Sequence, residues 1–190
     1  MSKRKKKKVN KNIPPVHPNV ANRKGIKEEF KIILENENWL RSCKIDSYKF
    51  TNMYNDYQSM AKTLTKVMTV LLPDIEKYGY DIFNKQGIWH SRKTHCHLVN
   101  EDKLQLVQTI VDKINDKKLD IFSDEEKKLW QYGVAGGVRI ICLYDQANNN
   151  VHPLFIDSHH LIHPSTKHNQ QDVMTNKLCP IKIFNENSSK

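Results

Sequence analysis

Histidine is the residue here best placed to do chemistry. Eight of the nine histidines fall between His90 and His168 in a chain of 190 residues. An imidazole titrates near neutral pH and can take or give a proton. Clustered imidazoles are therefore what acid–base cleavage of a phosphodiester would use. Two groups stand out. His95 and His97 are two apart within Thr94-His95-Cys96-His97-Leu98-Val99, which reads as a strand and turns both side chains to one face. His159, His160, His163 and His168 follow the second strand of a predicted hairpin. His159 and His160 come directly after that strand and are the stronger candidates, since His163 and His168 lie further out in a polar loop. Arg139 is on the other strand of the hairpin. A guanidinium can bind a phosphate bidentately and stabilise its developing charge. An ion pair at a sheet edge would explain Arg139 equally well. Any one of these histidines alone is more often structural, and it is their concentration that points to a site.

The elements that must position these groups follow from hydrophobic periodicity. Ile26, Phe30, Ile33, Leu34 and Leu40 predict a helix from about 25 to 41. Tyr57, Met60, Ala61, Leu64, Val67, Met68 and Leu71 predict a second helix, stopped by Pro73. Together these make a helical hairpin whose apolar stripe is core. Asn100 can cap a third helix with Leu104, Val107, Ile110, Val111 and Ile114 on its apolar face. Ser123-Asp124-Glu125-Glu126 has the form of a capping box and predicts a short helix. Strands are expected over Trp130 to Val134, Val138 to Tyr144 and Val151 to Asp157, with an Asn-rich hairpin loop between the last two. Pro153 suggests an exposed strand end. The expected fold is α+β, an antiparallel meander with helices packed on one face, preceded by the helical hairpin.

Charge divides the chain. Residues 1–24 hold nine Lys and Arg and no acid, leaving 22 basic against 21 acidic residues, a charge of +1, in the rest. The arm is expected to be disordered, because it carries three prolines and few large apolar groups. Lys3, Arg4, Lys5, Lys6, Lys7 and Lys8 would attract phosphate backbones without sequence preference, and Lys167 could add a contact. A solubility tail is the plain alternative. The expected organisation is an arm over 1–24, a helical extension over 25–92, an α+β domain over 93–164 and a tail over 165–190. No apolar run approaches the roughly 20 residues of a membrane helix. With no apolar segment behind the first lysines, a cytoplasmic protein is expected. Cys43, Cys96, Cys142 and Cys179 show no CxxC spacing and are expected to be free thiols. No metal and no cofactor is expected, since the His and Cys residues lack paired-ligand spacing.

Two resemblances bear on function. Asp157-Ser158-His159-His160-Leu161-Ile162-His163-Pro164 resembles the opening of the HNH nuclease motif, and Asn176 with Leu178-Cys179-Pro180 its middle. The closing histidine has no counterpart, since no His follows Cys179. That resemblance implies a histidine that activates water and a divalent ion on the phosphate. Residues from about 94 to 164 resemble the RelE/ParE superfamily of bacterial toxins, which includes ribosome-dependent mRNA interferases. The resemblance is carried by a strand, two helices and a three-strand meander, with LWQYGVAGGVRIICLYDQANNNVHPLFID as its most similar stretch. It implies a metal-independent endoribonuclease with Arg139 on the scissile phosphate and His159 or His160 in proton transfer. His95 and His97 would add to the same face. Its implied partners are RNA or the ribosome, and an antitoxin protein. The basic pair usual after the last strand is His159-His160 here, and the first ~90 residues have no counterpart in that family. PLFIDSHHLIHPS also resembles segments of uncharacterised proteins of low-GC bacteria and their mobile elements. A non-enzymatic nucleic-acid-binding or ribosome-binding protein is the other class that the residues allow.

Overall fold

The computed structural model describes residues 29–45, 51–85, 95–134, 136–164 and 176–188. The basic arm and Lys167 lie outside these residues. Four strands form an antiparallel run: β2 (His97–Leu98), β3 (Lys127–Tyr132), β4 (Arg139–Asp145) and β5 (Asn150–Asp157). A short β1 (Lys31–Ile32) adds to β5 in parallel, giving the sheet order β1-β5-β4-β3-β2. The fold is α+β with a mixed five-strand sheet. The meander and the helix over residues 104–115 agree with the periodicity.

Helices cover both faces of the sheet, where one covered face was expected. Alternation along β4 explains this, because its residues on both faces are apolar. Ile140, Cys142 and Tyr144 join Val67, Leu71, Leu72, Ile75, Ile82 and Phe83 in one core. Ile141 and Leu143 join Val107, Ile110, Val111 and Ile114 in the other. The first core is packed by α1 (Tyr57–Lys66), a π-helical turn (Val67–Leu71) and α2 (Leu72–Phe83). The second is packed by α3 (Leu104–Asn115).

Four expectations need correction. The helix over 25–41 is replaced, in its described part, by β1 and turns. Lys31 N and Ile33 N donate to Asn149 and Val151 carbonyls of the sheet, and Asn36 Oδ1 accepts from Asn38 N, competing with a helical ladder. The helical hairpin is thus a single long helical run. Pro73 does not stop that run. An α-helix would carry the ring into the carbonyl four residues back. The π-helical turn widens the ladder just before it, and Leu72 N reaches Val67 O. The helix expected at Ser123 is also absent. Asp124 Oδ1 accepts from Glu126 N at 3.0 Å, an Asx turn, and β3 begins at Lys127. Pro153 lies within β5 beside a register shift at Ile141/Cys142, where its missing N–H does not break a regular ladder, and it is buried.

Phe30 links β1 to the helices. Its ring stacks near Phe83 and Tyr144, with centroids 6.0 and 5.8 Å away. A Cβ at Gly79 would stand 2.4 Å from that ring. Gly79→Ala should therefore destabilise the fold by about 1–3 kcal/mol, the range for overpacking, despite alanine's better helix propensity. Urea denaturation measures this, and a stabilised variant would show that the ring moves aside freely.

Candidate functional site

The site is built from the end of β5. Asp157 is fully buried. Its Oδ1 accepts from His159 N at 3.3 Å and Leu161 N at 2.9 Å, and its Oδ2 from Ile162 N at 2.9 Å. Burial pushes its carboxyl above the usual range, opposed by those amides and by Arg139. The carboxyl winds the following chain into a compact loop, with His160 in a left-handed conformation at φ 55°. Leu161 and Ile162 then enter the core beneath α3. This carries His163 back over the sheet to β2.

There it meets His97. The two rings lie edge to face with centroids 4.7 Å apart. His97 Nδ1 donates to Leu98 O at 2.8 Å, and its Nε2 accepts from the Gln131 amide at 3.1 Å. His97 and Gln131 are directly opposed in the β2–β3 ladder, so pleating sets this contact. His163 Nε2 is buried with no hydrogen-bond partner among the described residues. Burial holds the His163 imidazole below its usual value, with further lowering from His97 and Lys103 and a smaller opposing pull from Asp102. His95 is exposed, two residues along. Burial of part of its ring, then Arg139 and His97, lower it too.

The other candidates are placed differently. Arg139 is 3% exposed, and its Nη1 donates to the carbonyls of Val134, Gly136 and Val138 at 3.2, 2.6 and 2.9 Å. Its guanidinium thus braces its own β3–β4 turn, and Asp157 opposes it across the ladder. His159 turns toward segment 51–54, where its Nε2 donates to Met53 O at 2.5 Å. His160 is buried. Of the expected residues, His95 and His97 come together with Arg139 near one end of the sheet. The residue underrated in the sequence is His163. Its signal was the Leu161-Ile162 pair, an apolar doublet in a loop otherwise taken as polar. Gln131 carried no signal of its own.

The four cysteines are free and buried. Burial pushes the Cys142 thiol up to about 12, so it is not a thiolate nucleophile near neutrality. Among the described residues no three His, Cys, Asp or Glu side chains are grouped to hold a metal ion. Nor is any described helix long and apolar enough to cross a membrane.

A mixed-sheet α+β domain with a half-buried imidazole pair at one sheet end is the class that these observations define. The chain belongs to the family described as "Uncharacterised protein UU032", which matches residues 35–186. It is 28% identical over 184 residues to "Uncharacterized protein UU032" of Ureaplasma parvum serovar 3 (strain ATCC 700970), covering 95% of this chain and 97% of that one. No solved structure matches it.

Two outcomes follow. Asp157→Asn should destabilise the protein by about 1–3 kcal/mol, because one oxygen becomes an amino group facing a buried N–H. Thermal unfolding tests this, and an unchanged midpoint would mean that the loop does not depend on the carboxyl. The second concerns pH. His163 and His95 have folded pKa values below the ordinary 6.5. Their neutral forms are favoured in the fold, so their contribution is complete above about 6.5 and is lost as pH falls through the lowered folded values. Urea midpoints taken between about pH 7.5 and 5 should decline, and less so in His163→Gln. Parallel curves for the two proteins would exclude His163 as the source.

Proposed function

We propose that this protein is a metal-independent endoribonuclease whose proton-transfer groups are His97 and His163. The observation that carries this reading is the edge-to-face pair at 4.7 Å, with the buried, unpartnered Nε2 of His163 beside it. A buried imidazole held below its ordinary pKa is neutral at pH 7 and suited to act as a base. His163 would take the proton of an RNA 2′-hydroxyl through Nδ1, since its Nε2 is closed to solvent, as the 2′ oxygen attacks phosphorus. The P–O5′ bond breaks, and the leaving 5′ oxygen takes a proton from His97 Nε2, which must first exchange the Gln131 amide for a second ring proton. The products are a 2′,3′-cyclic phosphate and a 5′-hydroxyl. Gln131 orients His97, and Lys103, paired with Asp102 at 2.8 Å, lies near His163. Relative to the RelE/ParE resemblance, the base moves from His159/His160 to the His97–His163 pair. Arg139 becomes a support beneath the site rather than a phosphate ligand.

The HNH resemblance is favoured by a different observation. His159 Nε2 and Asn176 Nδ2 both donate to Met53 O, at 2.5 and 3.0 Å. The two motif residues therefore meet, after the β4–β5 hairpin and before α4 (Pro180–Ser188). Among the described residues no three-ligand set is grouped beside them.

The test is cleavage of unstructured RNA in the presence of EDTA, with ribosomes supplied in a parallel reaction. Wild-type protein should cleave, and His97→Ala or His163→Ala should each lower the rate by about 10²-fold or more. His159→Gln, whose amide can still donate to the Met53 carbonyl, should keep most of the activity. EDTA-sensitive cleavage lost in His159→Gln would favour the HNH reading. No cleavage under any condition would leave a non-enzymatic binding protein.

A further inference from the structure

Gln131 is 4% exposed and stands directly across the β2–β3 ladder from His97. Leu98 O can only accept, so the His97 nitrogen 2.8 Å from it, Nδ1, carries a proton. In the neutral ring Nε2 is then a bare lone pair, and Gln131 presents its amino group to it across 3.1 Å. A second ring proton reverses the demand. Nε2–H then needs an acceptor, and an amino group left facing it would set N–H against N–H in a half-buried place. A carboxylate at position 131 would suit only the charged ring, and an ammonium only the neutral one.

A primary amide meets both demands without moving its stem. Its oxygen and amino group are nearly equal in size, and half a turn about the last side-chain bond exchanges them. Among the described residues no hydrogen bond holds Gln131 Oε1 where it is, so the turn breaks only the bond to His97. The ring keeps its place meanwhile, because Nδ1–H stays on Leu98 O in both states. The titratable and charged groups around the ring are His163 from the loop after β5, His95 two residues away, and the Asp102–Lys103 pair that acts on His163. Arg139 acts on His95, and Asp157 on Arg139, further along β4 and β5. All of these are the same whatever stands at position 131.

We propose that Gln131 is a positioning residue whose amide turns over as His97 gains and loses its Nε2 proton, so that the ring is held in both states. While His97 is the acid, Gln131 Oε1 accepts from Nε2–H. The leaving 5′ oxygen takes over that proton, the ring becomes neutral with its remaining proton on Nδ1, and the amide turns to donate to the emptied Nε2. Gln131 gives up no proton of its own. The arrangement in the structure, amino group toward Nε2, is that of the neutral ring. The proposal rests on the ribonuclease reading for where the proton goes, and on the geometry alone for the turning amide.

The test uses the full chain labelled with nitrogen-15. Nitrogen–proton correlation spectra follow the His97 ring and the Gln131 side-chain amide between about pH 5 and 8. Neutral His97 should carry its proton on Nδ1, and the Gln131 amide protons should shift with the same midpoint as the ring. A neutral ring protonated on Nε2, or an amide that does not sense the ring, would overturn the proposal. Two variants then separate a partner of both states from a partner of one. Gln131→Met removes both hydrogen bonds, so the ring midpoint should stay within about 0.3 of a pH unit while RNA cleavage slows about tenfold. Gln131→Glu offers only an acceptor, so the midpoint should rise by about one to two pH units. The falling limb of the pH–rate profile, where the acid loses its proton, should rise with it. A midpoint about one unit higher in Gln131→Met would mark a partner of the neutral ring alone and sink the turning amide. If Gln131→Glu does not fold, the wild-type spectra and Gln131→Met decide without it. The two readings fail separately. Spectra as expected with no RNA cleavage sustain the turning amide and sink its place in the reaction. Cleavage through His97 with an amide that never turns does the reverse.

Discussion

Asp157 closes β5 with its carboxyl out of water, and the chain that follows is wound around it. Three amides from His159, Leu161 and Ile162 converge on the two oxygens, and Arg139 faces it from the adjoining strand. A carboxyl with such partners is tolerable in a core, whereas a bare one is not. The partners are also what make the next residues turn sharply enough for His160 to adopt its left-handed backbone. Only because the loop turns there do Leu161 and Ile162 reach the core under α3 and leave His163 against His97. The position of the imidazole pair is therefore a consequence of a polar interaction made several residues away.

The two-sided sheet gives that interaction something rigid to work against. β4 is buried along its whole length, held by β3 through a regular antiparallel ladder and by β5 through one that shifts register at Ile141/Cys142. α3 seals one face, and the α1–α2 run seals the other. Tyr132 hydroxyl reaches Asp74 on α2 at 3.3 Å, tying the second of these layers to the strand that carries Gln131. Segment 51–54 performs a similar service on the far side of the loop. Thr51 O accepts from Ser158 N at 3.1 Å, and Met53 O takes His159 and Asn176. His159 is occupied in holding the loop down, which explains why a histidine next to the strand end is not at the imidazole pair.

Much of this was legible in the sequence, and the failures have physical causes. β3, β4, β5 and α3 could be read because their apolar periods persist for several residues and end at Gly or Asn-rich turns. β1 could not, because two residues carry no period and its pairing with β5 is a long-range event. The apolar spacing of Ile26 to Leu40 imitates a helix, but the Asn36 side chain donates to Leu154 O and accepts from Asn38 N, and from residue 29 on the chain is extended or turned. Pro73 reads locally as a stop, and a π-helical turn is invisible to a pattern built on 3.6 residues. At the site, the nearness of His95 and His97 follows from their spacing of two, although β2 itself begins at His97. The place of His163 was not legible, since it depends on a buried carboxyl and an apolar doublet acting together.

Arg139 shows how a residue type can suggest one role and its surroundings another. A guanidinium on a strand beside histidines suits a phosphate ligand, but here its Nη1 is turned to three carbonyls of its own turn. A buried cation so engaged does not leave its partners to meet a substrate without exposing those carbonyls, which would then lack donors. Its charge still acts through space, since His95 feels it.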